Sequence, residues 1–248
     1  MDPLHVATLN IRNLVDRWDE RLPLILADMA ALQPDLLGLQ EVVYPLQQDR
    51  LIGAAGEGRY ESTRGWAGRP EYGNVLLVRQ PLAATDVDRL DLGLSRCAVR
   101  ARVELAAGSS IVMVVTHLHH STADEAARDD QTRQLVDWLG DAPAADGTVV
   151  VGDFNAEPEE PTYARMRSAG FRSSFLEANG AEPAVTWPSG LDAPAKDTDG
   201  PAGCLDYIWV RGAIAVESCR LAFDRPAVGD ATLFPSDHLG LSARLNVG

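Results

Sequence analysis

Residues 149–158 read VVVGDFNAEP, an apolar run that changes abruptly into polar residues. A short run of β-branched residues bounded by polar ones predicts a strand that is buried on both faces. Gly152 allows a close backbone approach or an unusual φ. Side chains alternate along an extended chain, so Asp153 and Asn155 are expected to point the same way. Two such side chains at a strand end indicate either a site for a hard metal ion or phosphate, or an ordinary Asx turn.

Polar residues also interrupt or end other predicted strands. These residues are Asn10, Glu41, His117, Asp206 within CLDYIWV (204–210), and Asp237 with His238, which precede the final strand. A single residue of this kind is usually a hydrogen-bonded structural group. Buried charges, however, are costly unless they are paired or bound to a metal. The whole set therefore predicts convergence on one site.

The residue types indicate which chemistry such a site would support. Oxygen ligands are offered by Asn10, Glu41, Asp153, Asn155 and Asp237. Such ligands suit Mg²⁺, Mn²⁺ or Ca²⁺ rather than zinc. Two histidines would complete a set for phosphoryl transfer, because one can accept a proton from water and one can stabilise the charged phosphorus centre.

The rest of the chain reads as a mixture of strands and helices. Residues 18–33 and 123–140 show helical spacing, with Pro34 and Gly140 as stops. Further strands are predicted in residues 73–79, 97–105, 109–118 and 213–221, the last pairing with 204–210. Residues 183–203 predict a long loop, and long loops in compact domains tend to be functional. With no repeat or linker, residues 1–248 are expected to form a single domain of two packed sheets with helices outside.

Composition limits the class of partner and the compartment. The 248 residues carry a net charge of −14 and a single lysine, which disfavours binding to a nucleic-acid backbone but allows a local basic patch. Three cysteines without a C-x-x-C pair predict neither a disulfide framework nor a zinc site. The chain shows no signal-peptide pattern and no apolar run of membrane-spanning length. We therefore expect a cytoplasmic protein, with export after removal of a leader as the alternative.

Six segments taken in order resemble the endonuclease/exonuclease/phosphatase superfamily, which has the deoxyribonuclease-I-like fold. They are TLNIR (8–12), PDLLGLQEV (34–42), VVTHL (114–118), VVVGDFNAEP (149–158), CLDYIWV (204–210) and PSDH (235–238). The resemblance covers residues 6–240. It implies a four-layer α/β/β/α sandwich of two mixed sheets with helices outside, and a site at the top of the two sheets.

The resemblance also implies roles at the matching positions. Glu41 resembles the principal metal ligand, with Asn10 beside it. Asp153 and Asn155 resemble the pair that positions or activates the attacking water and contacts the phosphate.

A second group of residues would transfer protons and contact the phosphate. His238 resembles the general base, with Asp206 as the carboxylate that orients it. His117 resembles the histidine that contacts the scissile phosphate. Glu71 lies where some members carry a carboxylate partner for that histidine and others a tyrosine, and Tyr72 is adjacent.

The sequence departs from the family pattern at one position. Asp237 resembles a residue that lines a second metal position. Members that cut DNA at abasic sites often carry an acidic residue two positions after the equivalent of Asn10, and this chain has Arg12 there. The departure argues against a second cation nearby. Arg12 is expected either to meet a substrate phosphate or to form a surface salt bridge with Asp16 or Asp19.

Other residues are candidates for contacts near the mouth of the site. The possible cations are Arg64, Arg69 and Lys196. Trp66 and Trp187 would either stack on a base or sugar or pack within their loops. His119 and His120 are expected to face the substrate or the surface and not to bind metal.

The expected activity is Mg²⁺-dependent hydrolysis of a phosphoester by a monomer. The family includes DNA nucleases, RNA deadenylases, inositol-phosphate phosphatases and sphingomyelinases. The acidic chain favours a small phosphorylated metabolite or short nucleotide over an extended DNA duplex. No apolar hairpin for membrane insertion is visible. The alternatives are a DNA or RNA nuclease, and a non-catalytic member that binds a phosphoprotein or lipid headgroup.

Overall fold

The computed structural model describes residues 1–56, 58–193 and 200–248, which form two six-stranded sheets. The first sheet has the order β11-β12-β1-β2-β4-β3, with β1 Asp2–Asn10, β2 Leu36–Val43, β3 Tyr60–Trp66, β4 Tyr72–Arg79, β11 Ile214–Ala222 and β12 Gly240–Val247. The second has the order β5-β6-β7-β8-β10-β9, with β5 Ala84–Gly93, β6 Arg96–Glu104, β7 Ser110–His117, β8 Gly147–Asp153, β9 Arg172–Ser173 and β10 Asp206–Gly212. The helices are α1 Trp18–Leu32, α2 Leu46–Ala55, α3 Glu125–Gly140, α4 Pro161–Ser168 and α5 Ser174–Asn179.

Three apolar clusters hold these elements in layers. Strand β8 is buried on both faces, as its sequence predicts. Val149 and Val151 belong to the cluster between the two sheets, whereas Val150 belongs to a cluster with Leu135 and Leu139 of α3. A third cluster joins the opposite face of the first sheet to α1 and α2. This alternation confirms the predicted four-layer α/β/β/α sandwich.

The predicted pairing of residues 204–210 with 213–221 is wrong. Strand β10 pairs with β8 and β9 in the second sheet, and β11 pairs with β12 in the first. The chain changes sheets at Gly212, whose φ of 90° is readily adopted only by glycine. Ile214, just beyond this turn, is buried between the sheets. In a simple hairpin of β10 and β11, the side chain of Ile214 would lose this burial between the sheets.

Some elements have no clear sequence pattern. Strand β5 is mostly exposed and polar, and β3 forms the end of its sheet with mixed residues. Neither shows the strict alternation by which strands are recognised. None of the described helices is both long and apolar enough to cross a membrane.

Strand directions bring the predicted polar residues to one end of the sandwich. Strands β1 and β2 are parallel, as are β7 and β8, so their carboxyl ends lie side by side. Strand β10 runs antiparallel to β8, and β12 runs antiparallel to β1, so these two strands begin at the same end. The residues that meet there are Asn10, Glu41, His117, Asp153, Asp206 and His238.

Gly152 provides a test of this arrangement. Its φ is 145°, and a Cβ atom at this position would lie 2.0 Å from the carbonyl oxygen of Thr116 in β7. We expect Gly152→Ala to lower the free energy of unfolding by at least about 2 kcal/mol, because backbone strain and overpacking each cost on that order. Urea denaturation measures the change. Gly140→Ala is the control, since a Cβ at the end of α3 meets no atom within 4 Å. Equal stability of Gly152→Ala and the wild type would contradict the prediction.

Candidate active site

The strand ends open into a cleft of about 320 Å³. The predicted site residues that line it are Arg12, Glu41, His117, Asp153, Asn155, Asp237 and His238. Asn10 and Asp206 are buried beneath the cleft and hydrogen-bond to its lining residues. The structure therefore brings together every predicted site residue except Glu71 and Arg69.

A buried group of two carboxylates and an imidazole forms the floor of the cleft. The Nδ1 atom of His238 lies 2.9 Å from Oδ2 of Asp206. Its Nε2 atom lies 3.6 Å from Oδ2 of Asp153. One ligand-type atom from each of the three side chains lies within 4.8 Å of the others. Because Asp206 holds Nδ1, the ring is oriented with Nε2 toward Asp153.

Burial and charge set the protonation of this group. Burial disfavours the imidazolium, but Asp206 and Asp153 outweigh it and raise the pKa of His238 to about 10. Burial raises the pKa of Asp153 to about 6, an effect that the positive charge of His238 opposes. For His117, burial and then the charge of Arg96 hold the pKa well below its usual value, so that ring is neutral. The cleft thus contains one charged and one neutral imidazole on either side of Asp153.

The segment from Asp153 to Asn155 forms the predicted Asx turn at the cleft. The backbone N–H of Asn155 donates to Oδ1 of Asp153 at 2.9 Å, which is an Asx turn, and both side chains line the cleft. The extended geometry expected for Asn155 is wrong, because β8 ends at Asp153 and Asn155 has a φ of 49°. Its amide donates to the carbonyl of Leu118 at 3.2 Å and lies 3.1 Å from Nε2 of His117.

Glu41 is held in the cleft by neutral donors. Asn10 and Asn13 donate to its two carboxylate oxygens at 3.3 Å and 3.0 Å. Its φ of 59° falls where the pairing of β2 with β4 is irregular, an unusual conformation for a residue other than glycine. No ion pair within the described ranges 1–56, 58–193 and 200–248 neutralises its charge. A half-buried carboxylate that lacks a cationic partner among these residues fits a hard divalent cation.

Asp237 differs from Glu41 because it already has a cationic partner. Arg12 donates from Nη1 to Oδ2 of Asp237 at 2.5 Å and from Nε to Asp16 at 2.6 Å. Trp187 also donates to Oδ2 of Asp237, at 3.3 Å. Oδ2 of Asp237 is therefore already engaged by two donors, and a second metal position beside this residue stays a prediction. The salt bridge predicted for Arg12 with Asp16 is present, but the two side chains are mostly buried and not on the surface.

The placement of Glu71 beside His117 is also wrong. Glu71 is exposed in the turn before β4, and its side chain does not line the cleft. Tyr72 lines the cleft instead and hydrogen-bonds to Glu41. Adjacent residues of extended chain face opposite sides, so only one of the two can point inward. The contacts to the ring nitrogens of His117 come from Arg96, Asn155 and Asp153.

The candidate contacts at the mouth are only partly confirmed. Arg69 is exposed outside the cleft, and Arg64 donates to Gln48 and stacks on the ring of Tyr44. Trp187 lines the cleft, whereas Trp66 is exposed beneath the guanidinium of Arg89. Lys196 lies outside the described residues.

Several lining residues carried no sequence signal. They include Asn13, Arg96, Thr122, Glu157 and Glu160. Arg96 opens β6 next to Cys97, whose partner in β7 is His117, so only the strand pairing places it at the site. Of the two uncertain histidines, His120 lines the cleft and His119 does not.

Comparison with known proteins agrees with this geometry. The profile of the Endonuclease/Exonuclease/phosphatase family matches residues 7–238. The chain belongs to this family. Mouse Nocturnin is 29% identical over an alignment of 261 positions, which covers 91% of this chain but only 58% of the length of Nocturnin. A family relative of unknown activity, YbhP of Escherichia coli K12, is 27% identical and covers 98% of this chain and 96% of its own.

Solved structures of the endonuclease/exonuclease/phosphatase family share the fold over the whole chain. The catalytic domain of human Nocturnin, solved with a bound sulfate anion, is 25% identical, with a TM-score of 0.77 and 100% of this chain covered. TDP2 of D. rerio, solved with a single-strand DNA product, has a TM-score of 0.82, 18% identity and 99% coverage of both chains. The second likeness establishes the fold alone.

Proposed function

We propose that this family member is a divalent-metal-dependent phosphoesterase in which His238, oriented by Asp206, transfers a proton during attack by water. The observation that carries the proposal is the buried Asp206–His238 pair, 2.9 Å apart, facing Asp153 on the floor of the cleft. Nδ1 of His238 is engaged by Oδ2 of Asp206, which leaves Nε2 facing Asp153 and able to exchange a proton. The pair is therefore better suited to proton transfer than to metal binding.

The cation is assigned to Glu41, with Asn10 beside it. Oxygen ligands suit Mg²⁺, with Mn²⁺ or Ca²⁺ as alternatives. Such an ion, when bound, polarises a phosphoryl oxygen and stabilises the charge that develops on it. The acidic cleft supports this assignment, because Glu41 has no cationic partner among the described residues, whereas Asp237 has Arg12.

The side chains of the chain supply orientation and proton transfer. Asn10 donates to Oδ2 of Asp153 at 3.0 Å and fixes that carboxylate beside the two histidines. An imidazole with a pKa of about 10 keeps its proton at neutral pH. A cation held by Glu41 would favour the role of His238 as base, because its positive charge would oppose that of the imidazolium. Neutral His117 and the Asn155 amide are placed to hydrogen-bond phosphoryl oxygens.

The size and charge of the cleft favour a small substrate. A volume of about 320 Å³ suits a compact ligand. Arg12 is neutralised by Asp16 and Asp237, and neither Arg64 nor Arg69 lines the cleft. Few cations are left for phosphates along an extended polymer. A small phosphorylated metabolite or short nucleotide is the substrate class that fits best.

Metal binding separates the roles of Glu41 and Asp237. We expect Glu41→Gln to weaken Mn²⁺ binding by at least about 10-fold, since metal affinity depends that strongly even on residues behind the ligands. Asp237→Asn should leave the stoichiometry of Mn²⁺ unchanged, because Arg12 already occupies this carboxylate. Isothermal titration calorimetry measures both. Full hydrolysis of a chromogenic phosphodiester in EDTA would contradict the cation requirement. Loss of Mn²⁺ binding in Asp237→Asn but not in Glu41→Gln would contradict the assignment of the cation to Glu41.

The proton-transfer role makes a second prediction. His238→Ala should lower kcat by about 100-fold to 10,000-fold, the usual contribution of general acid–base catalysis. Asp206→Asn should also lower kcat, because the imidazole loses the carboxylate that orients it. His119→Ala is the matched control, since His119 lies outside the lining of the cleft. Near wild-type turnover by folded His238→Ala, assayed on a panel of nucleotides, inositol phosphates, sphingomyelin and DNA, would show that the pair is misassigned.

The preference for a small substrate is tested by DNA binding. Affinity for a duplex falls with salt at a log–log slope of about −0.9 per neutralised phosphate. With few free cations in the cleft, we expect weak binding and a slope no steeper than about −3. Titrating a DNA duplex into the His238→Ala protein at several salt concentrations measures both the affinity and its salt slope. Nanomolar affinity with a steep slope would instead support a DNA nuclease.

A further inference from the structure

The cationic side chains that line the cleft differ in how they are neutralised. Two arginines, Arg12 and Arg96, are among its lining residues. Arg12 is paired with Asp16 and Asp237. Within the part of the chain that the structure describes, no carboxylate forms an ion pair with Arg96. Arg96 is therefore a partly buried guanidinium that no described carboxylate pairs with directly, in a protein of net charge −14.

Arg96 is held by two histidine rings. Its Nη1 lies 2.9 Å from Nδ1 of His117, and its Nη2 lies 3.2 Å from Nδ1 of His120. A guanidinium can only donate, so both Nδ1 atoms accept and both rings carry their proton on Nε2. The remaining N–H groups of Arg96 and the Nε2–H of His120 are donors left for another molecule. Such a group of donors around an unpaired positive charge is suited to an anion.

The position of this group relative to the reaction centre limits which anion it binds. The ring of His117 separates Arg96 from Asp153, with Nδ1 on the arginine and Nε2 at 3.4 Å from Oδ2 of the carboxylate. Arg96 is thus one imidazole away from the proposed point of attack. A phosphoryl group attacked beside Asp153 and His238 lies on the far side of that ring.

We propose that Arg96 and His120 form a second anion subsite that binds a phosphate group of the substrate other than the one attacked. The identification of this anion as a second phosphate of the substrate rests on the proposed phosphoesterase function. The ligand class is a compound with two neighbouring phosphates, such as a short nucleotide with a terminal phosphate or a metabolite with more than one phosphate. Recognition of the second phosphate gives an acidic protein a way to select a small polyanion.

A simpler role for Arg96 would be to position His117 alone. That role predicts an equal loss on all substrates when the arginine is replaced. An anion subsite predicts a loss confined to ligands that carry the second phosphate, and it predicts binding of a free anion without metal or turnover. The two roles are separated by a binding experiment that does not depend on catalysis.

The binding experiment uses sulfate, the metal-free protein and NMR spectra of the histidine side chains. The chain has 5 histidines, and buried His5 bonds to Ser242 in the first sheet, so it serves as an internal reference. Sulfate should shift the His120 and His117 signals saturably, and the nitrogen shifts should show Nε2–H tautomers. Arg96→Gln should abolish the saturable shift, while Arg133→Gln, which removes a charge on the exposed face of α3, should retain it. No saturable shift of His120, or an unchanged one in Arg96→Gln, would overturn the proposal.

A second experiment ties the subsite to substrate. Two dinucleotides, with and without a terminal phosphate, are compared as ligands of the inactive His238→Ala protein and as substrates of the active enzyme. Arg96→Gln should reduce the preference for the phosphorylated dinucleotide by about 10-fold to 100-fold, the size expected for hydrogen bonds to charged groups. Equal losses for both dinucleotides would reduce Arg96 to a positioning residue. Absence of metal-dependent hydrolysis across all phosphoesters would overturn the phosphoesterase function while leaving the sulfate result to stand.

Discussion

The site depends on the burial of the Asp153 carboxylate at the boundary between the two sheets. The residue is 1% exposed, and a buried charge is stable only when it is surrounded by donors or opposite charge. Asn10 of the first sheet donates to it at 3.0 Å, and His117 and His238 approach it at 3.4 Å and 3.6 Å. These partners come from separate strands and loops. The contacts that stabilise this one buried carboxylate therefore hold the adjacent ends of the two sheets together.

The arginine side chains at the cleft differ in whether they form ion pairs. The charge of Arg12 is used within the protein, because it pairs with Asp16 and with Asp237, which lines the cleft. Arg128 similarly pairs with Glu160 at 2.7 Å. Glu41 is left without such a partner among the described residues, and so is Arg96. The cleft is therefore lined by a carboxylate and a guanidinium that form no ion pair among these residues, and Tyr72 lies near both of them.

Much of the fold and site follows from the sequence because strand ends carry a strong signal. Apolar runs that end in Asn10, Glu41, His117 and Asp153 identify both the strands and the chemistry. Alternation does not reveal which strands pair, so the assignment of β10 and β11 to different sheets was missed. Alternation also does not determine which of two adjacent residues faces the cleft, so it does not distinguish Glu71 from Tyr72, which lines the cleft. Arg96 was missed because its partner histidines lie in another strand and a loop, and no sequence spacing records that contact.

The distance along the chain between site residues has a further consequence for stability. Ser236, within the segment that delivers His238, donates from its hydroxyl to the carbonyl of Asn10 at 2.6 Å across 226 residues of sequence. Strands β1 and β12 pair along their length beside this contact. Asn10 and the Asp206–His238 pair are thus brought together when the first and last strands of the sandwich have joined. Contacts between residues so distant in sequence require the closure of a long loop, and the entropy lost on closure precedes the stabilisation that the contacts give. The active site and the cooperative core are consequently one structural unit, and weakening the β1–β12 pair removes the site along with the fold.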